Sequence, residues 1–214
     1  EVVEVDFPVV STYEGDRPNT PTLATRGLVS REYLRRDIVD LSAWAWEDFL
    51  AANGDPDLHT LAGVDGAGIF PQPEGALPDR YTGFEDDIAD YPAWVRAHPG
   101  ADPWRTMPEL AEGLRALEET RRIDLETWMD DLGLDAVVFP AVADVGEASM
   151  DVDEGAAQRG WRNGVWVANG NLAIRHLGIP TVTVPLGMLT DTRMPVGLTF
   201  AGRAYDATAL LALG

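Results

Sequence analysis

The chain opens on an alternating pattern. In "EVVEVDFPVV", Val3, Val5 and Phe7 fall on one face and Glu4 and Asp6 on the other, up to Pro8, which predicts a half-exposed strand. That strand begins abruptly at Glu1 without a methionine, which suggests a processed or truncated start. Helical spacing then takes over in "SREYLRRDIVDLSAWAWEDFLAA", where Tyr33, Leu34, Ile38, Leu41, Trp44 or Ala45, and Phe49 form one stripe. Ser30 is placed to cap this helix and Gly54 to end it. Trp44 and Trp46 point to different sides, which reads as packing, with ligand stacking as the alternative.

Residues 53–105 break the periodicity, with Gly63, Gly66, Gly68, Pro71, Pro73, Pro78, Pro92 and Pro103 interrupting any long element. Only "FEDDIADYPAWVRAH" keeps helical spacing there. A stretch of this kind reads as an insertion or a lid-like loop region. In "TMPELAEGLRALEETRRIDLETWMDDLGLDAVVFP" the pattern returns: Thr106, Pro108 and Glu109 suit a capping box. Leu110, Leu114, Leu117, Leu125, Trp128 and Met129 give the buried stripe of a helix to about Asp131, and Gly133 stops it. "DAVVFP" then reads as a fully buried strand of the parallel-sheet kind.

Beyond an acidic loop, "WRNGVWVANGNLAIRHLG" predicts a helix with Trp166, Ala173, Ile174 and Leu177 inward. A strand from Thr181 to Val184, shut off by Pro185, a strand in "MPVGLTFAG" and a last helix capped by Asp206 complete the chain. The whole predicts an α/β fold with a mixed, largely parallel sheet flanked by helices.

Composition narrows the chemistry. The 214 residues carry a net charge of −20, which repels phosphate backbones and argues against nucleic acid. A solvated acidic surface or adaptation to high salt would both produce that balance. No run approaches the length of a membrane span and the start has no basic signal-peptide region, so a cytoplasmic protein without membrane association is expected. With no cysteine, disulfides, thiolate nucleophiles and cysteine metal sites are excluded. The chain also contains no lysine; its bases are arginines, which bind carboxylates but stay protonated and cannot serve as neutral bases.

His59, His98 and His176 show no metal-ligand spacing, and His176 beside Arg175 suits a helix C-terminus. Ser11, Ser30, Ser42 and Ser149 sit in no nucleophile elbow. The pair Asp86 and Asp87 reads as a solvated face, and "GVDGAG" lacks the lysine of a phosphate loop. No metal or cofactor is expected.

One stretch is more specific. "GIPTVTVPLGMLTDTRMPVGLTFAGRAYD" resembles the carboxyl-terminal end of the amidase signature family, through Gly178, Pro180, Val184, Pro185, Gly187, Pro195, Val196, Gly197, Leu198, Gly202, Arg203 and Asp206. "LDAVVFPAVADVG" is similar to the family's strand and proline-started pocket loop, with Asp135 and Pro140 matching, and "EVVEVDFP" to its strand after the signature domain. Residues 9–106 match only in layout. The resemblance implies that residues 1–214 form the carboxyl-terminal part of one amidase domain.

It further implies hydrolysis of a carboxamide by a serine, a second serine with a cis peptide, and a lysine base. Those residues belong to a Gly-Ser-rich segment that nothing here matches. No catalytic residue is carried over, the chain alone is expected to be inactive, and the catalytic half would be its partner. Pro140, Ala141, Val142, Trp166 and Asn171 are the expected substrate-binding residues, facing the acyl or leaving-group side of a small-molecule amide. A non-catalytic binding module and a subunit of a split amidase or amidotransferase stay open, as does a homodimer.

Overall fold

The computed structural model of the chain describes residues 1–11, 21–78, 88–142, 146–160, 162 and 171–214. In chain order these form α1 (Pro8–Ser11), α2 (Arg31–Arg36), α3 (Ser42–Asn53), α4 (Tyr91–Ala97), α5 (Pro103–Thr106), α6 (Leu110–Arg121), α7 (Trp128–Leu132), β1 (Val137–Pro140), α8 (Glu154–Gly160), α9 (Asn171–His176), β2 (Thr181–Met188), β3 (Pro195–Ala201) and α10 (Ala207–Leu213). They divide into two compact units, the first made of Glu1–Leu28 with Arg115–Gly214 and the second of Val29–Leu114.

The first unit holds a three-stranded sheet in the order β1-β3-β2, antiparallel throughout. The expected largely parallel sheet flanked by helices is therefore wrong. The turn between β2 and β3 is tight, with Leu189 N–H donating to the Met194 carbonyl at 2.9 Å, and so short a link joins only antiparallel strands. β3 then lies between β1 and β2, in register Val138 with Phe200 and Val182 with Phe200, so that both neighbours run against it.

β1 is an edge strand rather than a buried one: Val137 is buried, but Val138 is 41% exposed. Pro185 does not end β2, which continues to Met188 through an irregularity between Pro185 and Gly187. An edge strand tolerates proline because one side of its backbone needs no partner. Residues 1–7, expected as a strand, form none; Phe7 instead stacks on Trp128 at 5.7 Å and meets Phe139 at 6.1 Å. Those contacts half-bury Phe7, whereas Val3, on the same predicted face, is 53% exposed, so the alternating face is not buried as a whole.

Leu125, Met129, Leu210, Val9 and Leu23 are among the largest fully buried side chains of the first unit. α9 ends as its glycine suggests: Gly178 has φ 64°, and Ile179 N–H reaches back to the Ile174 carbonyl at 3.0 Å. Ala173, Ile174 and Leu177 are buried as expected, whereas Trp166 and the start of the predicted helix lie outside the described residues.

In the second unit the Ser30 hydroxyl accepts from Tyr33 N–H at 3.1 Å, and Gly54 closes the helical stretch in a left-handed conformation. Between α2 and α3 the helix widens into a π-type turn, Asp37–Leu41. Tyr33 and Leu34 are buried, but Phe49 is 64% exposed, so the inward stripe does not run the whole length. Thr106 ends α5 by donating its hydroxyl to the Asp102 carbonyl at 3.0 Å, and Glu109 takes Arg36 as its partner at 2.7 Å. Both side chains are thus engaged outside the predicted capping box. Asp86 and Asp87 lie outside the described residues. Among the described residues, no helix is long and apolar enough to cross a membrane.

Candidate functional site

The expected pocket loop follows β1. Ala141 N–H donates to the Gly197 carbonyl at 3.0 Å, extending the β1–β3 pairing one residue past Pro140. Pro140 is exposed, and Ala141 and Val142 are half-buried. Gly197 permits this closeness: a Cβ there would come within 2.8 Å of Thr183 Cγ2 and 3.5 Å of Ala141 Cβ. On β2 and β3 the hydroxyls of Thr183 and Thr199 lie 2.9 Å apart, so one donates to the other across the strand pair. Thr199 is buried and Thr183 exposed.

Trp166 lies outside the described residues, and Asn171 is described only as the first residue of α9. The described part of the loop, residues 140–142, forms with Gly197, Thr183 and Thr199 a sheet edge whose side chains carry no titratable group.

Buried charge in the first unit serves structure. Arg26 grips both oxygens of Asp124 at 2.7 Å, and this paired carboxylate raises the guanidinium pKa. Arg121 donates to Glu118, to Glu126 at 3.2 Å and to the Leu177 carbonyl at 3.0 Å, tying the helical stretch to the end of α9. Arg203 reaches Asp130 at 2.7 Å and the Leu134 carbonyl at 3.0 Å, and Glu126 also accepts from Ala204 N–H at 3.1 Å. Arg203, one of the residues matching the amidase signature pattern, thus fastens the turn after β3 to the turn before β1.

Two of the serines have backbone duties: the Ser30 hydroxyl caps α2, and Ser42 donates to the Asp37 carbonyl at 3.1 Å. His98 stacks on Trp94 at 4.4 Å with Nδ1 2.8 Å from that residue's carbonyl, so Nδ1 carries the proton. Among the described residues, no three histidine, aspartate or glutamate side chains group as a metal site.

Concavity occurs elsewhere. Two cavities lie within the second unit: one of about 410 Å³ lined by Trp46, Phe49, Leu50, Leu58, Leu61, Val64 and Ile69, and one of about 500 Å³ that includes Trp44, Asp48, Trp94 and His98. The sequence named no binding residue here beyond the ligand-stacking alternative for Trp44 and Trp46. The available signal was Trp46, Phe49 and Leu50 at helical spacing beside a loop that is itself apolar at Leu58, Leu61 and Val64. Neither the protein-family models nor the curated proteins contain a match to the chain.

Proposed function

We propose that the chain takes part in hydrolysis of a carboxamide C–N bond in the cytoplasm, as the carboxyl-terminal part of an amidase of the amidase signature type. The observation that carries this reading is the run from Gly178 to Asp206. Its matching residues have definite backbone duties: Gly178 closes α9, Gly197 admits the Ala141 loop, and Arg203 anchors the turn after β3.

In the assembled enzyme, a serine from outside this chain attacks the amide carbonyl. Its proton passes through a second serine to a lysine, and backbone amides stabilise the oxyanion. Collapse breaks the C–N bond as the leaving nitrogen takes up a proton, and water then hydrolyses the acyl ester. The arginines here cannot replace the lysine, because they remain charged at any working pH. Pro140, Ala141 and Val142, with Trp166 and Asn171, would line the acyl or leaving-group side. Val142→Trp in the complete enzyme is expected to lower kcat/KM about tenfold by filling that side.

The test is ammonia release from a panel of primary carboxamides, by this chain alone and by the polypeptide encoded together with its upstream segment. Release only from the longer polypeptide supports the reading. Turnover by the chain alone, or an upstream segment without paired serines and a lysine, sinks it.

A second reading, a subunit of a split amidase, is favoured by the apolar exposure of Leu186, Met188 and Met194 around the β2–β3 turn. It predicts a shift in gel filtration only when a serine- and lysine-bearing partner is added.

A further inference from the structure

We propose that the cavity of about 500 Å³ between α3 and α4 is a binding site for a small organic cation, an ammonium group bearing alkyl substituents. One wall is a single face of α3, where Trp44, Glu47, Asp48 and Ala51 recur at helical spacing. Trp94, Val95 and Arg96 of α4, with His98 just past its end, form the other. Ala62 joins them from the intervening segment.

The polar groups of the lining divide into those already engaged and those that are not. The Glu47 carboxylate accepts from the Thr60 hydroxyl at 2.9 Å and from Leu61 N–H at 2.6 Å. Arg96 donates to the Ala62 carbonyl at 2.9 Å. Trp94 donates its indole N–H to Asp40 at 3.0 Å, and His98 stacks on its ring at 4.4 Å. These bonds hold both walls in place before any ligand arrives. Asp48 and Trp44 stand apart from them. Asp48 makes no hydrogen bond or ion pair with a described residue, and half-buried Trp44 makes no hydrogen bond or ring contact with one. The two lie one turn apart on the same helix, so a carboxylate and an indole border the same part of the cavity.

That pair selects the charge of the occupant. A carboxylate without a counter-ion attracts a cation, and the face of a tryptophan is the best aromatic partner for one. Two carboxylates in the lining outnumber its one guanidinium, and the chain's net charge of −20 favours cations and opposes anions at long range. The alkyl substituents follow from the rest of the lining. Ala51, Val95 and the indoles offer nothing to a bare, strongly hydrated ion, whereas an alkylated ammonium keeps its charge and presents methyl groups to them.

The experiment titrates the full chain with choline and with 3,3-dimethylbutanol, the neutral alcohol in which a carbon replaces the charged nitrogen, following the indole N–H resonances of an isotope-labelled sample. Saturable binding of choline is expected, with a shift of the Trp44 resonance and an affinity about fivefold above that of the alcohol. Asp48→Asn should bring choline down toward the alcohol and leave the alcohol unchanged; Asp48 is exposed and bonded to nothing described, so this variant is expected to fold. Trp44→Leu should weaken choline about threefold, and Trp44→Phe, which keeps a weaker aromatic face, by less. Glycine betaine, with the same head group and a carboxylate, should bind more weakly than choline. Four results overturn the proposal: choline uptake that does not saturate, equal affinities for choline and the alcohol, an unchanged choline affinity in Asp48→Asn, or betaine bound more tightly than choline, which would assign the cavity to zwitterions held by Arg96. None of these readouts involves amide hydrolysis.

Discussion

The two units join distant segments with different mixtures of groups. In the first, guanidinium groups link segments far apart in the chain: Arg26 holds Asp124 across 98 residues, and Arg121 holds the Leu177 carbonyl across 56. In the second, Arg36 likewise holds Glu109 across 73 residues, but polar tips of aromatic side chains share the joining, with the Tyr91 hydroxyl on Ile38 and the Trp94 indole N–H on Asp40 at 3.0 Å. The first unit contains the residues on which the proposed amidase reading rests, and they are spent on turns, caps and strand contacts. The second contains the cavities, between a helix that the sequence predicts and a following stretch whose sequence announces no site. Recognisable residues and ligand-sized space are therefore separate properties in this molecule.

The largest contrast is between a core leucine and a cavity-lining phenylalanine. Leu125 is 0% exposed, and Leu125→Ala should cost about 3 kcal/mol in denaturant unfolding. Phe49→Ala should cost no more than about 0.5 kcal/mol, since its ring is already in solvent. Equal losses would mean that Phe49 belongs to a core and not to a cavity wall.

Next comes Gly113, where an added Cβ would overlap the Tyr33 ring. Gly113→Ala is expected to cost about 2 kcal/mol, and much less when Tyr33 is shortened to leucine in the same chain. Additive losses would remove this contact from the account of the second unit.

Arg121→Met follows at about 1.5 kcal/mol, because the Leu177 carbonyl loses its donor in a buried position. In the first unit a guanidinium should thus matter about as much as an aromatic contact does in the second.

The smallest effects are those of pH. Burial, with the nearby Asp37 charge, pushes the Tyr33 hydroxyl up to about 12. Its folded pKa lies above the ordinary value of about 10. The corresponding stability is complete below pH 10 or so and is lost as pH rises toward 12. Tyr33→Phe should flatten that alkaline decline in a melting-temperature profile. Glu109 behaves oppositely: hydrogen bonding from its own backbone N–H and then from Arg36 holds its carboxyl below the usual range. Its contribution is present above the ordinary carboxylate pKa and disappears as pH falls through the lowered one, so Glu109→Gln should blunt the acid limb.

Much of the local structure was legible. Ser30, Gly54, Gly133 and Gly178 end or begin helices as their chemistry dictates, and the β3 and α10 segments stand where their patterns put them. Strand direction was not legible. "DAVVFP" is as apolar as a parallel core strand, yet β1 pairs antiparallel with β3, and Val138 is 41% exposed because alternate side chains leave opposite faces of the sheet and only the Val137 face is covered there. Nor does period-two alternation identify a strand when there is no neighbour to pair with: Phe7 is drawn into contact with Trp128 instead. The cavity lined by Phe49 was hidden for a different reason. Its walls come from two segments whose approach depends on Glu47 bonding to Thr60 and Leu61, a contact no periodicity announces.

The central claim is that this chain scaffolds an amide-hydrolysing site without providing its nucleophile. Labelling with a serine-reactive fluorophosphonate, followed by peptide mass spectrometry, tests it most directly when applied to the isolated chain and to the polypeptide carrying its upstream segment. The account predicts one modified serine in the upstream segment, and none among Ser11, Ser30, Ser42 and Ser149 in either sample. Stoichiometric modification of any of those four would contradict it.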